Sequence, residues 1–269
     1  MSKSGFVSVP GGSLYYEEDG AGPAVVLIHA GVANLRMWDP LVASLSDRYH
    51  LIRYDTRGFG RTESEHAEFS NRADLVAVLD HAGVDKATVV GASRGGSIAL
   101  DSVLEYPDRF EGLVVVAGGV GGYQPPDVEE DEALWKEAER LEEVKDWDAL
   151  SDFETRFWCD GPGQPTSRVA PAIREKVHGW ILDNYRAEKE GGVPQVLTPP
   201  AVGRLGEVAV PVLVVIGEFD EAFTNASCRH LAETVGATLL EYPAAHMLTL
   251  EHPERFADDL SAFLARVHG

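Results

Sequence analysis

Along this chain, short unbroken runs of apolar residues alternate with stretches in which apolar residues return every third or fourth position. An unbroken run suits a strand covered on both faces, and the second spacing suits a helix that buries one side. The runs at 24–28, 51–54, 87–90, 113–116, 211–216 and 238–241 are predicted strands. Helical spacing predicts helices over 37–45, around Leu75 to Leu79 with Asn71 as cap, from Ser97 to Leu104, and near 226–234. It also predicts one over 253–267, where Phe256, Leu260, Phe263 and Leu264 share a face. Ahead of these, Phe6-Val7-Ser8-Val9 and Leu14-Tyr15-Tyr16 flank the turn Pro10-Gly11-Gly12 and predict an antiparallel hairpin. The alternation predicts an α/β fold: a mostly parallel central sheet with that hairpin at its edge and helices on both faces.

The pattern changes between 118 and 209. Strand signals vanish, glycines and prolines gather at both ends, and acidic helical stretches such as 129–145 take over. This predicts a helical cap inserted after the strand at 113–116, with a core made of 1–117 and 210–269. The cap carries Trp135, Trp147, Phe153, Phe157, Trp158 and Trp180, which either form its own core or face a pocket. Trp158 and Trp135 are the candidates for contact with substrate.

Composition narrows the function classes. Of 269 residues, 44% are hydrophobic and 25% charged, as in an ordinary globular domain. The formal net charge of −21 argues against nucleic acid or an anionic membrane surface as partner, because both repel such a chain at long range. The N-terminal residues lack the apolar core of a signal peptide and no apolar run reaches membrane-spanning length, so a cytoplasmic protein is expected. Two cysteines, Cys159 and Cys228, are too few for a disulfide framework and have no neighbours at metal-ligand spacing. They are read as free, partly buried thiols, and neither a metal nor a cofactor is expected. The expected partner is a small-molecule substrate, and a homodimer stays open.

One stretch carries candidate chemistry. The strand at 87–90 runs into Gly91-Ala92-Ser93-Arg94-Gly95-Gly96 and becomes a helix within about five residues. So tight a turn drives its central residue towards positive φ and crowds the residues two before and two after it, where glycines stand. Ser93 is thereby pushed out above the sheet, and the backbone N–H of Arg94 points to where an oxyanion would form. A serine that merely caps a helix is the alternative, and the flanking strand and helix favour the nucleophile.

A serine hydroxyl attacks carbonyl carbon only when an imidazole takes its proton, and the imidazole works best when a carboxylate fixes its tautomer. Ligands of open parallel sheets bind at the carboxyl ends of strands. Asp220 follows the strand at 211–216 and His246 follows that at 238–241. Glu218 and Glu221 compete with Asp220 as the acid, and His252 competes with His246.

In Leu27-Ile28-His29-Ala30-Gly31, Tyr54-Asp55-Thr56-Arg57-Gly58-Phe59-Gly60, Gly91-Ala92-Ser93-Arg94-Gly95-Gly96, Gly217-Glu218-Phe219-Asp220 and His246, the chain resembles the α/β-hydrolase superfamily. The resemblance implies the order Ser93, Asp220, His246 for a catalytic triad. It implies that His29 holds the oxyanion loop and that Gly31 supplies the second oxyanion N–H. Ala30 departs from the superfamily's His-Gly pattern, so the donor's register could shift to Ala30 or Val32. Within the superfamily, Arg36-Met37-Trp38-Asp39 and the size of the cap resemble the enol-lactonase, small carboxylesterase and cofactor-free haloperoxidase branch. Asp55 and Arg57 are expected to brace a loop by local pairing. The Arg94 side chain is expected to pair with an acidic cap residue; the alternative is that it attracts a substrate carboxylate at the pocket mouth.

The expected activity is hydrolysis of a small-to-medium carboxylic ester or lactone through an acyl-enzyme. Carbon–carbon bond hydrolysis or perhydrolysis with the same triad, and non-enzymatic binding of a small molecule, are the alternatives.

Overall fold

A computed structural model describes residues 2–128 and 132–269. The chain opens with strands β1 (Lys3–Val9), β2 (Gly12–Asp19) and β3 (Ala24–Ile28), then α1 (Asp39–Leu45) and β4 (His50–Tyr54). Two short strands, β5 (Glu63–Ser64) and β6 (Glu68–Phe69), precede α2 (Asn71–His81), β7 (Ala87–Ala92), α3 (Arg94–Glu105) and β8 (Phe110–Val116). Helices α4 (Glu132–Glu143), α5 (Trp147–Glu154) and α6 (Pro171–Ala187) and the two-residue β9 (Val193–Pro194) lead to β10 (Val212–Gly217). The chain closes with α7 (Ala222–Val235), β11 (Thr238–Tyr242), α8 (Leu248–Glu251) and α9 (Pro253–His268).

The main sheet has the order β1-β2-β4-β3-β7-β8-β10-β11, with β5 on β2. From β4 onward each neighbouring pair is parallel, whereas β1 and β2 form an antiparallel hairpin and β2 meets β4 antiparallel. Alternate residues of each central strand enter opposite cores. Val26 and Ile28 pack with Leu75 and Leu79 of α2, Val103 of α3 and Leu231 of α7. Val25 and Leu27 pack on the other face with Leu41 of α1 and the predicted Phe256, Leu260, Phe263 and Leu264 of α9. Apolar residues on both faces of a strand explain the unbroken runs in the sequence. Among the described residues no helix is long and apolar enough to cross a membrane.

Several details differ from expectation. Ser70, not Asn71, caps α2: Ser70 has extended backbone and its side chain accepts from Ala73 N at 3.2 Å, whereas Asn71 is already helical. Cys159 and Cys228 are fully buried rather than partly, and burial pushes both thiols up to about 12. Strand pairing also occurs within 118–209, where none was expected, because β9 lies parallel to β6; two residues are too few to leave a pattern. The first residues of the acidic helical stretch at 129–145, namely 129–131, lie outside the described residues. Val120, Leu197, Ala201 and Leu205 pack in the same cluster as the sheet. We propose that the cap proper is the segment 132–187, which holds the helices α4, α5 and α6 and, among the described residues, no strand, with its flanks belonging to the core.

The turn between β7 and α3 has little room. Ser93 sits at φ 54°, in a region that side chains other than glycine rarely adopt. A Cβ on Gly91 would stand 2.0 Å from the Gly95 carbonyl oxygen, and one on Gly95 would stand 2.4 Å from that of Ile28. Gly91→Ala is therefore expected to cost more than about 3 kcal/mol in chemical denaturation or to prevent folding. Gly206→Ala, whose Cβ would meet nothing within 4 Å, is expected to stay within about 0.5 kcal/mol of the parent.

Candidate active site

The tight turn lifts Ser93 to the carboxyl end of the sheet, and its N–H is tied to Val116 O at 2.8 Å, so the strained backbone is anchored to β8. Asp220 lies on the loop after β10 and His246 on the loop after β11. These loops touch because Gly217 has no side chain: a Cβ there would stand 2.4 Å from Ala245 O and 2.5 Å from Ala244 O. His246 Nδ1 lies 2.8 Å from Asp220 Oδ2 and 3.0 Å from Oδ1. An ionised carboxylate only accepts, so Nδ1 carries the ring proton and Nε2 is left with a free lone pair. Asp220 Oδ1 accepts a further bond from Glu221 N at 2.7 Å, which fixes the carboxylate. The competitors are elsewhere: Glu218 is exposed, Glu221 caps α7 through Phe223 N and Thr224 N, and His252 sits at the N-terminus of α9.

Ser93 and His246 line one cavity of about 310 Å³, together with Gly31, Val32, Gly58, Phe59, Glu154, Trp158, Ile181, Asn184 and Tyr185. The backbone N–H groups of Gly31, which lines the cavity, and of Arg94, which follows Ser93, have no acceptor among the described residues. The N–H of Ala30 is not available, because it points at Met37 Sδ 3.2 Å away. This narrows the register left open by Ala30 to Gly31 or Val32. His29 is fully buried; its Nε2 accepts from Thr56 N at 3.0 Å, so Nδ1 is the protonated nitrogen and donates to Ala30 O at 2.8 Å. Burial, aided by the nearby Arg94 charge, lowers its pKa to about 3. A neutral imidazole thus holds the loop in one shape.

Asp55 and Arg57 brace this region, Asp55 partly through local bonds and both through distant partners, and they do not pair with each other. Asp55 accepts from Leu35 N at 2.9 Å and Arg61 N at 2.8 Å, tying the loop that carries Gly31 to the turn after β4. Arg57 forms a fork with Asp74 of α2 and donates to the Pro10 and Gly11 carbonyls of the β1–β2 turn. Among the described residues the Arg94 side chain pairs with no acidic cap residue. It donates to Thr56 Oγ1 at 2.7 Å and Asn71 Oδ1 at 3.4 Å and lies over the Phe59 ring, behind the cavity wall. It is absent from the cavity lining, which removes the idea that it attracts a substrate carboxylate.

From above, the Trp158 ring lies 4.6 Å from that of His246. Trp135 is set one ring back, 6.1 Å from Trp158, and does not line the cavity. Trp158 belongs to a π-helical turn, Thr155–Asp160, that ends at Gly161 against Phe219 O and Ala245 Cβ.

A model of the alpha/beta hydrolase fold family matches residues 23–253. The chain belongs to that family. Among relatives of this α/β-hydrolase, 3-oxoadipate enol-lactonase 2 of Acinetobacter baylyi is 26% identical over 250 residues, 91% of this chain and 89% of that one. The 2-hydroxy-6-oxononadienedioate/2-hydroxy-6-oxononatrienedioate hydrolase of Klebsiella pneumoniae is 30% identical over 262 residues, 90% of this chain and 87% of that one. Among solved structures, Est816, described as an N-acyl homoserine lactone degrading enzyme, superposes with a TM-score of 0.76 at 26% identity, covering 96% of this chain and 100% of that one.

Some residues of this α/β-hydrolase's cavity left no readable signal in the sequence. Ile181, Asn184 and Tyr185 share a helix face at spacings of three and four, but only Ile181 is apolar enough to stand out. Glu154 is one of many acidic cap residues. The link between the cap and the His246 loop was equally hidden: Glu251 accepts from Ala245 N at 2.9 Å, beside His246, and is paired with Arg168, which donates to the carbonyls of Cys159 and Asp160.

Both Arg168 and Glu251 are largely buried, so Arg168→Met leaves a carboxylate without its partner. A loss of about 3 kcal/mol in urea unfolding is expected, with most of it recovered in the double variant Arg168→Met/Glu251→Gln; simple additivity of the two losses would contradict the pairing. For His29 the unfolded imidazole ring takes up a proton below its ordinary value of 6.5, while the native one stays neutral down to about 3. The unfolded state therefore binds more protons between these values, and stability present above pH 6.5 falls on acidification. Relative to His29→Gln, the wild type is expected to lose up to about 1.4 kcal/mol per pH unit in that window.

Proposed function

We propose that this protein hydrolyses carboxylic esters or lactones of small to medium size through an acyl-enzyme on Ser93. The observation that carries the reading is the grip of Asp220 on His246 Nδ1 while Ser93 and His246 share one cavity. Ser93 Oγ attacks the carbonyl carbon and its proton passes to His246 Nε2. The carbonyl oxygen takes the negative charge and is met by the N–H groups of Arg94 and Gly31. One such donor is worth about 3 kcal/mol at the transition state. Collapse of the adduct expels the alcohol, which leaves with the proton from His246. In a lactone the leaving hydroxyl stays tethered to the acyl group. Water then loses a proton to His246 Nε2, attacks the acyl carbon and frees the acid and Ser93. Asp220 remains ionised throughout and stabilises the imidazolium. Trp158 forms the wall over the reacting carbon, and Trp135 supports it from behind.

The relatives' names support ester or lactone chemistry, and the Klebsiella relative acts on a dioate. Among the described residues lining the cavity there is no lysine or arginine to receive such a dianion, which favours an uncharged ester or lactone over a dianionic substrate. We also propose a cytoplasmic setting, consistent with two buried free thiols.

A fluorophosphonate probe is expected to label Ser93, and Ser93→Ala is expected to lose both the label and turnover of p-nitrophenyl butyrate. Turnover that survives Ser93→Ala, or an active enzyme labelled elsewhere, would overturn the proposal. Asp220→Asn is expected to lower kcat by roughly 10³- to 10⁴-fold by releasing the tautomer of His246.

A further inference from the structure

The end of the cavity contributed by the cap has its own chemistry. Glu154, at the end of α5, lines it with Asn184 and Tyr185 of α6. Tyr185 Oη donates to Glu154 Oε1 at 2.7 Å, and Trp147 stacks on the Tyr185 ring at 5.3 Å and 8°, so the tyrosine is held in place from behind. The hydroxyl's only hydrogen is thus spent. Asn184 Nδ2 donates one of its two hydrogens to Ala33 O at 3.3 Å, which leaves the other N–H and the acceptor Oδ1. Glu154 Oε2 has no partner among the described residues. What this pole offers a ligand is therefore mainly acceptor oxygens, one of them on a carboxyl group, beside a single amide hydrogen of Asn184.

Resting on the reading of Ser93 as the acylated nucleophile, we propose that Glu154, Tyr185 and Asn184 form a specificity pole. It selects esters or lactones bearing a hydrogen-bond donor, such as an amide N–H or hydroxyl, and rejects those bearing a carboxylate. An ionised Glu154 repels a second carboxylate at close range, and the chain's net charge of −21 repels it from afar. Burial raises the pKa of Glu154, while its bond from Tyr185 opposes the shift. In the ionised form it accepts from the substrate's donor. Two relatives are named for an enol-lactone of 3-oxoadipate and for a dioate; the pole assigns donor-bearing esters or lactones to this chain instead.

The test compares p-nitrophenyl N-acetyl-β-alaninate, which carries an amide N–H, with mono-p-nitrophenyl glutarate, which carries a carboxylate. Wild-type kcat/KM is expected to favour the amide ester at least ten-fold. Glu154→Gln, whose amide also donates, is expected to shrink that ratio at least five-fold, chiefly through KM, whatever it does to absolute rates. Should that variant not give a cooperative melt, Asn184→Asp adds a second carboxylate at the same pole and is expected to widen the ratio instead. Equal kcat/KM for the two esters in the wild type, or a ratio unmoved by the folded variants, overturns the assignment. Selectivity and chemistry are read separately in Ser93→Ala, where quenching of tryptophan fluorescence reports binding of both esters. The amide ester is expected to bind more tightly there even if wild-type turnover is absent, which would sink only the acyl-enzyme reading; equal affinities in Ser93→Ala overturn the pole.

Discussion

The close approach of α3 to the ends of β3 and β7 is the constraint on which the rest of the structure depends. With Gly91 against the Gly95 carbonyl and Gly95 against that of Ile28, the helix begins almost on top of the sheet. That contact forces Ser93 to φ 54° and leaves the residue lining the cavity. It also sets the first N–H of α3 beside the loop that carries Gly31. Strain of this kind persists only where the surroundings over-determine it, and here the bond from Ser93 N to Val116 O and the two sheet cores do so.

Around that fixed point, the remaining groups are held by polar contacts that cross the fold. Buried, neutral His29 links the Ala30 carbonyl to the Thr56 N–H, and Thr56 in turn receives the Arg94 guanidinium. Asp55 ties Leu35 to Arg61. On the opposite side, Gly217 brings the Asp220 and His246 loops together, and Glu251 joins the His246 loop to the cap through Arg168. The cap is thereby fixed to the loop that carries His246 rather than merely laid over it. Its inner surface presents Trp158 near the reacting end and Glu154, Asn184 and Tyr185 beyond.

How much of this was legible in the sequence follows from the range of each interaction. Strands buried on both faces must be apolar at every position, so β3, β7, β8 and β10 stood out, as did the long amphipathic α9. The elbow was legible because its sterics act within five residues, and Asp220 and His246 because each follows a recognisable strand. The partners of Arg57 and Arg94 were not legible: they depend on which loops the fold brings together, and a carboxylate-rich chain offers many wrong candidates. Glu154 was hidden for the same reason, one acid among 44 Asp and Glu residues. The two-residue strands β5, β6 and β9 carry no period at all.

The central claim is a covalent acyl group on Ser93 during turnover, and rapid-mixing kinetics with p-nitrophenyl butyrate followed by acid quench and peptide mass mapping tests it most directly. The account predicts a burst of p-nitrophenol approaching one equivalent per chain wherever deacylation is the slower step, with a butyryl adduct on Ser93 in the quenched enzyme. Turnover with the adduct on another residue, or with none at any time after mixing while a burst is present, would contradict it.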